Sequence, residues 1–399
     1  MLTPDEADRI IRAQLRALVV EPRPLLQCAG AVLREEVCAE RDQPPFDRVA
    51  MDGIALAAQA VREGRRHFRV QGLQAAGDAP HTLADTAHCI EIMTGGMLPR
   101  GCDAVVPVER ITLREGEATL DDGLEVAPWQ NVHRRASDAP AGRRLLAAGT
   151  VLNAPEIAVA AAAGRAHLQV TAQPAVIVVS TGSELVEPGE AILPHQVRRS
   201  NVYGLVAQLR LHGFTRVADD HVIDDAVTLR RRLELHLATH DLLVLSGGVS
   251  AGRLDLVPQV LAELGVQKHF HKIAQRPGKP LWFGTAPSGA AVFGLPGNPV
   301  SSFVCLARYV LPALHVACGC TPRAPEAVTL AAAVRVTAPL TSFLPVRLVR
   351  GEGGALFAEP CPTNGSGDFT SLVGTDGFVE LPAGPREYAQ GFAAPFHHW

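Results

Sequence analysis

Lysine is almost absent from this chain. Of 37 cationic residues only Lys268, Lys272 and Lys279 are lysines, and all three fall within residues 268–279. An Arg-rich genome is the better account of Lys268 and Lys272, whereas the surroundings of Lys279 single it out as a compact ammonium. A basic excess is missing too: 41 Asp+Glu against 37 Lys+Arg leave a formal net charge of −4, which argues against a nucleic-acid or membrane-surface protein. The eight cysteines form no CxxC pair and no zinc-finger spacing, only a lone CxC at Cys318 and Cys320. Reduced, mostly buried thiols are therefore expected, and no zinc site. The 36 glycines have no fixed period, and 47% hydrophobic with 20% charged residues describes a globular chain, neither collagen-like nor disordered. No 18-residue apolar run stands out, and the opening MLTPDEADRIIRAQLR is too charged for a signal-peptide core, so a cytoplasmic protein is expected. HExxH, the P-loop and GxGxxG are all missing, and the lack of GxGxxG disfavours nicotinamide chemistry. No motif supplies a histidine to activate a serine nucleophile.

What is present reads as several domains in 399 residues. Residues 1–43 read as helix: Thr3 can cap with Glu6 in a capping box, and Ile10, Ile11, Leu15 and Leu18 recur at helical spacing. Residues 44–133 alternate short β-like runs with Gly and Asp turns. Helix returns at 134–173, where PEIAVAAAAG stops at Gly164. The spacing thus predicts an inserted β domain within a helical, elongated domain. Residues 174–320 alternate buried strands with helices, the pattern of a doubly wound α/β domain, and 321–399 read as all-β.

In an open α/β sheet, ligands bind beyond the carboxyl ends of the strands. Three predicted strand ends carry small and polar residues: Ser180–Glu184, Ser246–Gly252 (with Gly247, Gly248 and Ser250) and Gly294–Ser301. Small residues let backbone N–H groups approach an anion, and three such loops in one sheet point to a phosphate-bearing ligand. Arg276-Pro-Gly-Lys279-Pro280 lies between the second and third loop. This rigid turn with two cations suits a small tetrahedral oxyanion. Asp52, Asp138, Glu184, Asp224 and Asp255 stand at loops or strand ends. Carboxylates beside a phosphate pocket are reconciled by a divalent cation such as Mg²⁺, although helix capping and turn formation remain open for each, Asp224 above all.

These words occur together in a known family. Pro45–Ala55, Ile92–Gly96 with Leu98–Val106, Ser180–Leu185, Ser246–Ser250 with Asp255, Arg276–Pro280, Leu295–Ser301 and Gly365–Gly367 resemble, in order, the MoeA family of molybdopterin molybdenumtransferases. The likeness spans essentially the whole chain. It implies a multidomain α/β plus β fold: a central doubly wound domain of the MogA/MoaB type, an inserted small β domain, a helical linker domain and a C-terminal β-barrel-like domain. It also implies insertion of molybdate into adenylylated molybdopterin with release of AMP, assisted by Mg²⁺ or another divalent ion. A homodimer with each active site shared between subunits is implied as well, with a molybdopterin adenylyltransferase and molybdoenzyme clients as further partners.

By the same resemblance Asp52, Asp138, Glu184, Asp224, Asp255 and Lys279 are the catalytic candidates, with Asp52, Glu184 and Asp255 the metal candidates. The resemblance implies that Arg276, Lys279, Pro280 and Ser301 form the molybdate pocket, joined by Arg347 and Ser366 of the last domain. Thr94 and Ser246, Gly247, Gly248 and Ser250 contact the pterin–nucleotide. The chain departs from the family at Ile54 (usually Tyr), Ser183 (usually Asp) and Ala136-Ser137 (usually Gly-Glu), which bears on metal affinity and rate. Two other functions fit part of the residues. One is molybdopterin adenylyl transfer, against which the loop reads Gly-Gly-Val-Ser rather than Gly-Gly-Thr-Gly. The other is a non-catalytic cofactor carrier, against which the acids are retained.

Overall fold

The apolar runs of the middle of the chain become strands Val176–Thr181, Leu242–Ser246 and Ala291–Leu295, every residue of which is buried. The structure, a computed structural model, describes residues 1–248, 256–322, 324–336, 338–384 and 387–399. The three strands lie in a six-stranded sheet of order Val217–Val222, Val176–Thr181, Leu242–Ser246, Ala291–Leu295, Trp282–Thr285, Gln267–His271. The first four strands are parallel and the last two antiparallel additions. Because side chains alternate along a strand, Val176 and Val178 enter one core while Ile177 and Val179 enter the other. Helices Asn201–Leu211, Pro299–Cys305 and Leu311–Ala317 cover the first face, and Ala226–Thr239 with Val257–Glu263 cover the second. From the central strand Val176–Thr181 the chain goes first to one neighbour, Val217–Val222, and then to the other, Leu242–Ser246. Connections leave in opposite directions there, so a crevice opens between Thr181 and Ser246.

Pro299–Ala317 corrects one expectation. A five-residue π-turn, Leu306–Val310, joins its two α-helical parts, giving 19 residues of mean hydropathy 1.5 that could cross a membrane by length and composition. It packs instead in the first core of the sheet, with 78% of its apolar window buried.

The helical reading of the first 43 residues holds only for Pro4–Gln14, with the Thr3–Glu6 capping box in place. Beyond it, Pro22 and Pro24 lack the N–H that a helix interior requires, and Val20–Pro24 is an extended strand paired with His167–Thr171. Within 134–173 only Ala154–Ala162 is α-helix, and Arg144–Leu146 pairs with Val37–Cys38. These segments share a core of Cys28, Leu33, Val37, Leu146, Leu152, Leu168 and Val170, so sheet pairing more than helix joins them. The first helix leaves them altogether, because Ala7 and Ile11 pack into the core of the α/β sheet. Between the segments lies a six-stranded sheet built from Gly53–Leu56, His67–Gln74, His88–Ile92, Ala104–Pro107, Ile111–Arg114 and Glu117–Leu120, with a core of its own.

At the C-terminal end Thr341–Arg350 pairs with both Leu356–Pro360 and Gly377–Leu381. Glu326–Leu330 and Ala393–His398 complete a closed five-stranded barrel. A short strand, Gln275–Arg276, pairs with Thr341–Ser342 and joins the cationic turn to this barrel.

Arg308, in the π-turn, is 7% exposed and holds three parts of the chain together. It pairs with Glu380 of the barrel at 2.8 Å and with Asp8 of the first helix at 3.1 Å. Burial alone would raise the Glu380 carboxyl, but the His397 hydrogen bond and the Arg308 charge outweigh it and hold the group below its ordinary 4.5. A carboxyl depressed in the folded state stabilises above its unfolded value, and that contribution is lost as pH falls through the folded value. Arg308→Ala is therefore expected to cost about 3–5 kcal/mol near pH 7, since it strands a buried charge. Below pH 4.5 the gap to wild type should narrow, because a protonated Glu380 no longer needs its cation. Denaturant melts of both proteins at neutral pH and below 4.5 check this.

Candidate active site

The crevice at the carboxyl ends of the parallel strands is a cavity of about 710 Å³. Ser180, Thr181, Glu184, Asp224, Ser246, Gly247 and Gly248 line it, and the Pro296–Pro299 loop forms its far wall. Glu184 follows the end of strand Val176–Thr181, with its carbonyl accepting from the Val197 N–H at 3.0 Å. Its carboxylate lies over Gly182, where a Cβ would stand 2.6 Å from Oε2, and Gly182 has φ of +143°, so a side chain there is excluded twice. Asp224 and Ser183 bond reciprocally: Ser183 N–H donates to Asp224 Oδ2 at 3.2 Å, and Asp224 N–H to Ser183 Oγ at 3.1 Å. Asp225, not Asp224, caps helix Ala226–Thr239, which resolves the capping alternative and leaves Asp224 on the crevice wall. The Thr181 hydroxyl is buried in this wall without a hydrogen-bond partner among the described residues.

Two crevice residues escaped the sequence reading. Asn201 Nδ2 donates to Gly297 O at 2.8 Å and to Ser246 Oγ at 3.3 Å, drawing two strand-end loops together. Arg199 is 5% exposed, donates to Ser180 Oγ at 2.7 Å and pairs with Glu187 and Asp219 at 2.5 and 2.7 Å. The Arg198-Arg199-Ser200-Asn201 run before a predicted helix was the available signal.

A second cavity, of about 640 Å³, lies between the Arg276–Pro280 turn and the barrel. It shares Pro280, Pro296 and Asn298 with the first. Arg276, Lys279, Pro280, Ser301 and Ser366 line it. Its third cation is Arg335, and no Asp or Glu stands among the described residues of its wall. Asn298 Nδ2 donates to Ser366 Oγ at 2.7 Å and Val300 N–H donates to Ser366 O at 3.1 Å, so a barrel loop closes this side. Gly278 is obligatory in the turn: its φ is +90° and a Cβ would lie 2.6 Å from both Cys305 Sγ and Gln275 Nε2.

Other candidates lie elsewhere. Thr94 N–H and Oγ1 donate to Asp52 Oδ1 at 2.6 and 2.7 Å, which holds the Asp52 carboxyl below the usual range. Neither residue lines either cavity of its own chain. Asp138 bonds His133 Nε2 at 2.8 Å, also outside both cavities. Arg347 does not line the second cavity, its Nε donating to Gly374 O at 3.2 Å with a 4.0 Å pair to Glu359; Arg335 lines it instead. Asp255 and Ser250 fall outside the described residues. Asp52 and Glu184 therefore do not converge within one chain, and no group of three His, Cys, Asp or Glu is arranged for a metal among the described residues.

Three family profiles run along the chain: MoeA N-terminal region (domain I and II) at residues 2–164, probable molybdopterin binding domain at 177–316, and MoeA C-terminal region (domain IV) at 327–399. A Synechocystis protein named molybdopterin molybdenumtransferase is 39% identical over 371 residues, 93% of each chain. The chain belongs to the MoeA family of molybdopterin molybdenumtransferases. Molybdopterin molybdenumtransferase 2 of Mycobacterium tuberculosis is 31% identical over 98% of each chain. The crystal structure of the MoeA protein of Pyrococcus horikoshii OT3 matches with a TM-score of 0.83 at 25% identity, over 100% of both chains. In the family's division, the crevice lies in the region matched by the probable molybdopterin binding domain, and the second cavity lies where that region meets the C-terminal one.

Proposed function

We propose that this chain inserts molybdenum into adenylylated molybdopterin, taking molybdate as the second substrate and releasing AMP. The observation that carries the reading is the pair of adjoining cavities with opposite chemistry. One has carboxylates and small strand-end residues; the other has three cations and no described acid. The first suits a phosphate-bearing ligand whose backbone-lined loops receive its oxygens. The second suits a small oxyanion, held by Arg276 and Lys279 on a turn whose geometry Gly278 permits.

The crevice also fits a divalent cation. The Glu184 carboxylate has no hydrogen-bond or ion-pair partner among the described residues, and Asp224 faces the same space, so two hard oxygen donors are on hand. Mg²⁺ bound by them would neutralise the phosphate oxygens and favour departure of AMP. Glu184 and Asp224 would hold that cation at one end, and Lys279 with Arg276 aligns the oxyanion at the other. Shared Pro280, Pro296 and Asn298 put the two ligands side by side, which is the proximity that the transfer requires. Asp52, Thr94 and Asp138 enter this reading from a second copy of the chain in a homodimer. Their exposure, and their position outside both cavities of their own chain, support that assignment. The setting is cytoplasmic.

Purified protein is expected to release AMP from adenylylated molybdopterin only when molybdate and Mg²⁺ are both present. Following AMP in the presence and absence of each tests the proposal. Substrate left unchanged under every condition defeats it.

A further inference from the structure

Behind the Arg276–Lys279 turn sits a polar cluster with no role in the proposed transfer. Gln275, Cys305 and Tyr309 are at most 1% exposed. Gln275 Nε2 donates to Pro277 O at 3.2 Å and to Cys305 Sγ at 3.7 Å, while its Oε1 accepts from the Tyr309 hydroxyl. Cys305 Sγ donates to Gly278 O at 3.8 Å. Two successive carbonyls of the turn are thus held from behind. On the flanks, Leu281 N–H donates to Gly278 O at 3.2 Å and Ile273 N–H to Lys279 O at 2.9 Å. Cys305 and Tyr309 are four residues apart on the Pro299–Ala317 helix and so present to one side, while the adjacent Arg308 reaches the barrel. Tyr309 and Arg308 lie in the π-turn, a local widening that recurs at functional sites. Buried polar groups left half-satisfied are costly, so this cluster admits one arrangement of the turn.

We propose that Tyr309 and Gln275 are positioning residues that set which oxyanion the turn accepts. By fixing the carbonyls at 277 and 278 they fix the spacing of the Arg276 and Lys279 heads, matching it to one size of tetrahedral dianion. A turn released from its brace closes on smaller anions such as sulfate and loses its match to molybdate. This inference rests on the oxyanion reading of the cavity.

Tyr309→Phe is the probe, since it removes one hydroxyl and leaves the ring in the core. AMP release is titrated with molybdate, then with adenylylated molybdopterin, then with molybdate against added sulfate. The molybdate KM is expected to rise about tenfold with kcat and the KM for the adenylylated ligand unchanged, and sulfate to compete more strongly than in wild type. A merely structural role would lower Tm and leave molybdate KM and sulfate competition where they were; that result overturns the proposal. An equal rise in both KM values overturns it as well. Cys305→Ala, which removes the thiol from Gly278 O and from Gln275 Nε2, decides the matter if Tyr309→Phe does not fold. Equilibrium dialysis of molybdate and of sulfate against both proteins keeps the tests separate. If wild type binds both anions but releases no AMP, the transferase reading fails, while the binding ratio still reports on the brace.

Discussion

Lys279→Ala raises the molybdate concentration needed for AMP release and leaves binding of adenylylated molybdopterin in place. Lys279 stands with Arg276 on the wall of the cavity that has no acid among its described residues, whereas the strand-end loops proposed to receive the adenylylated ligand lie in the neighbouring crevice. Loss of one charge-assisted contact costs about 1.5–3 kcal/mol, or on the order of ten- to a hundredfold in affinity. The backbone of the turn should persist, because Lys279 O is held by Ile273 N–H at 2.9 Å independently of the side chain. Lys279→Arg is the sharper comparison: it keeps the charge but replaces a compact ammonium with a planar fork, and a sizing pocket should reject it. Separate titrations of the two ligands against all three proteins give the answer. Equal weakening of both, or of neither, removes Lys279 from a distinct oxyanion site.

Glu184→Gln is the second large effect. It conserves shape but withdraws the anionic oxygens that a hard divalent cation requires. Loss of even a supporting partner of a metal ligand costs roughly 10- to 100-fold in metal affinity, so the Mg²⁺ concentration for half-maximal AMP release should rise by at least that factor. Molybdate KM at saturating Mg²⁺ should stay near wild type, since Glu184 does not line the oxyanion cavity. A Mg²⁺ titration identical to wild type would return Glu184 to a structural role over Gly182. The same variant tests the shared site. Mixing Glu184→Gln with Asp52→Asn chains at a Mg²⁺ concentration where each alone is strongly impaired should restore part of the activity if Asp52 reaches the crevice from a second copy. No recovery in a mixed, associated sample would place Asp52 outside the reaction.

Several features were legible in the residues themselves. Continuous apolar runs ending in Ser-Thr-Gly or Ser-Gly-Gly report parallel strands covered on both faces, with ligand loops at their ends. The Arg276–Pro280 turn, Ser301 and Ser366 were legible as motifs and line one cavity. The Thr3–Glu6 box specified the first helix through local bonds alone. Local pattern misled at 15–43, where helical spacing of apolar residues continued into a stretch whose prolines enforce extended chain.

The sequence by itself determined the order of strands and helices and the chemical types gathered at the loops, because these depend on period, proline and glycine over a few residues. Tertiary structure decided which of those residues meet. Asp225 rather than Asp224 caps its helix, which frees Asp224 for the crevice. Arg335 rather than Arg347 lines the second cavity: Val334–Arg335 pairs with Glu387–Tyr388 outside the barrel, while Arg347 is engaged by Gly374 O and Glu359. The first helix joins the α/β core instead of its sequence neighbours, since Ala7 and Ile11 find their apolar partners there. Such choices turn largely on contacts between residues tens to hundreds of positions apart, set by the competition to bury apolar surface and satisfy every polar group, which no local pattern records.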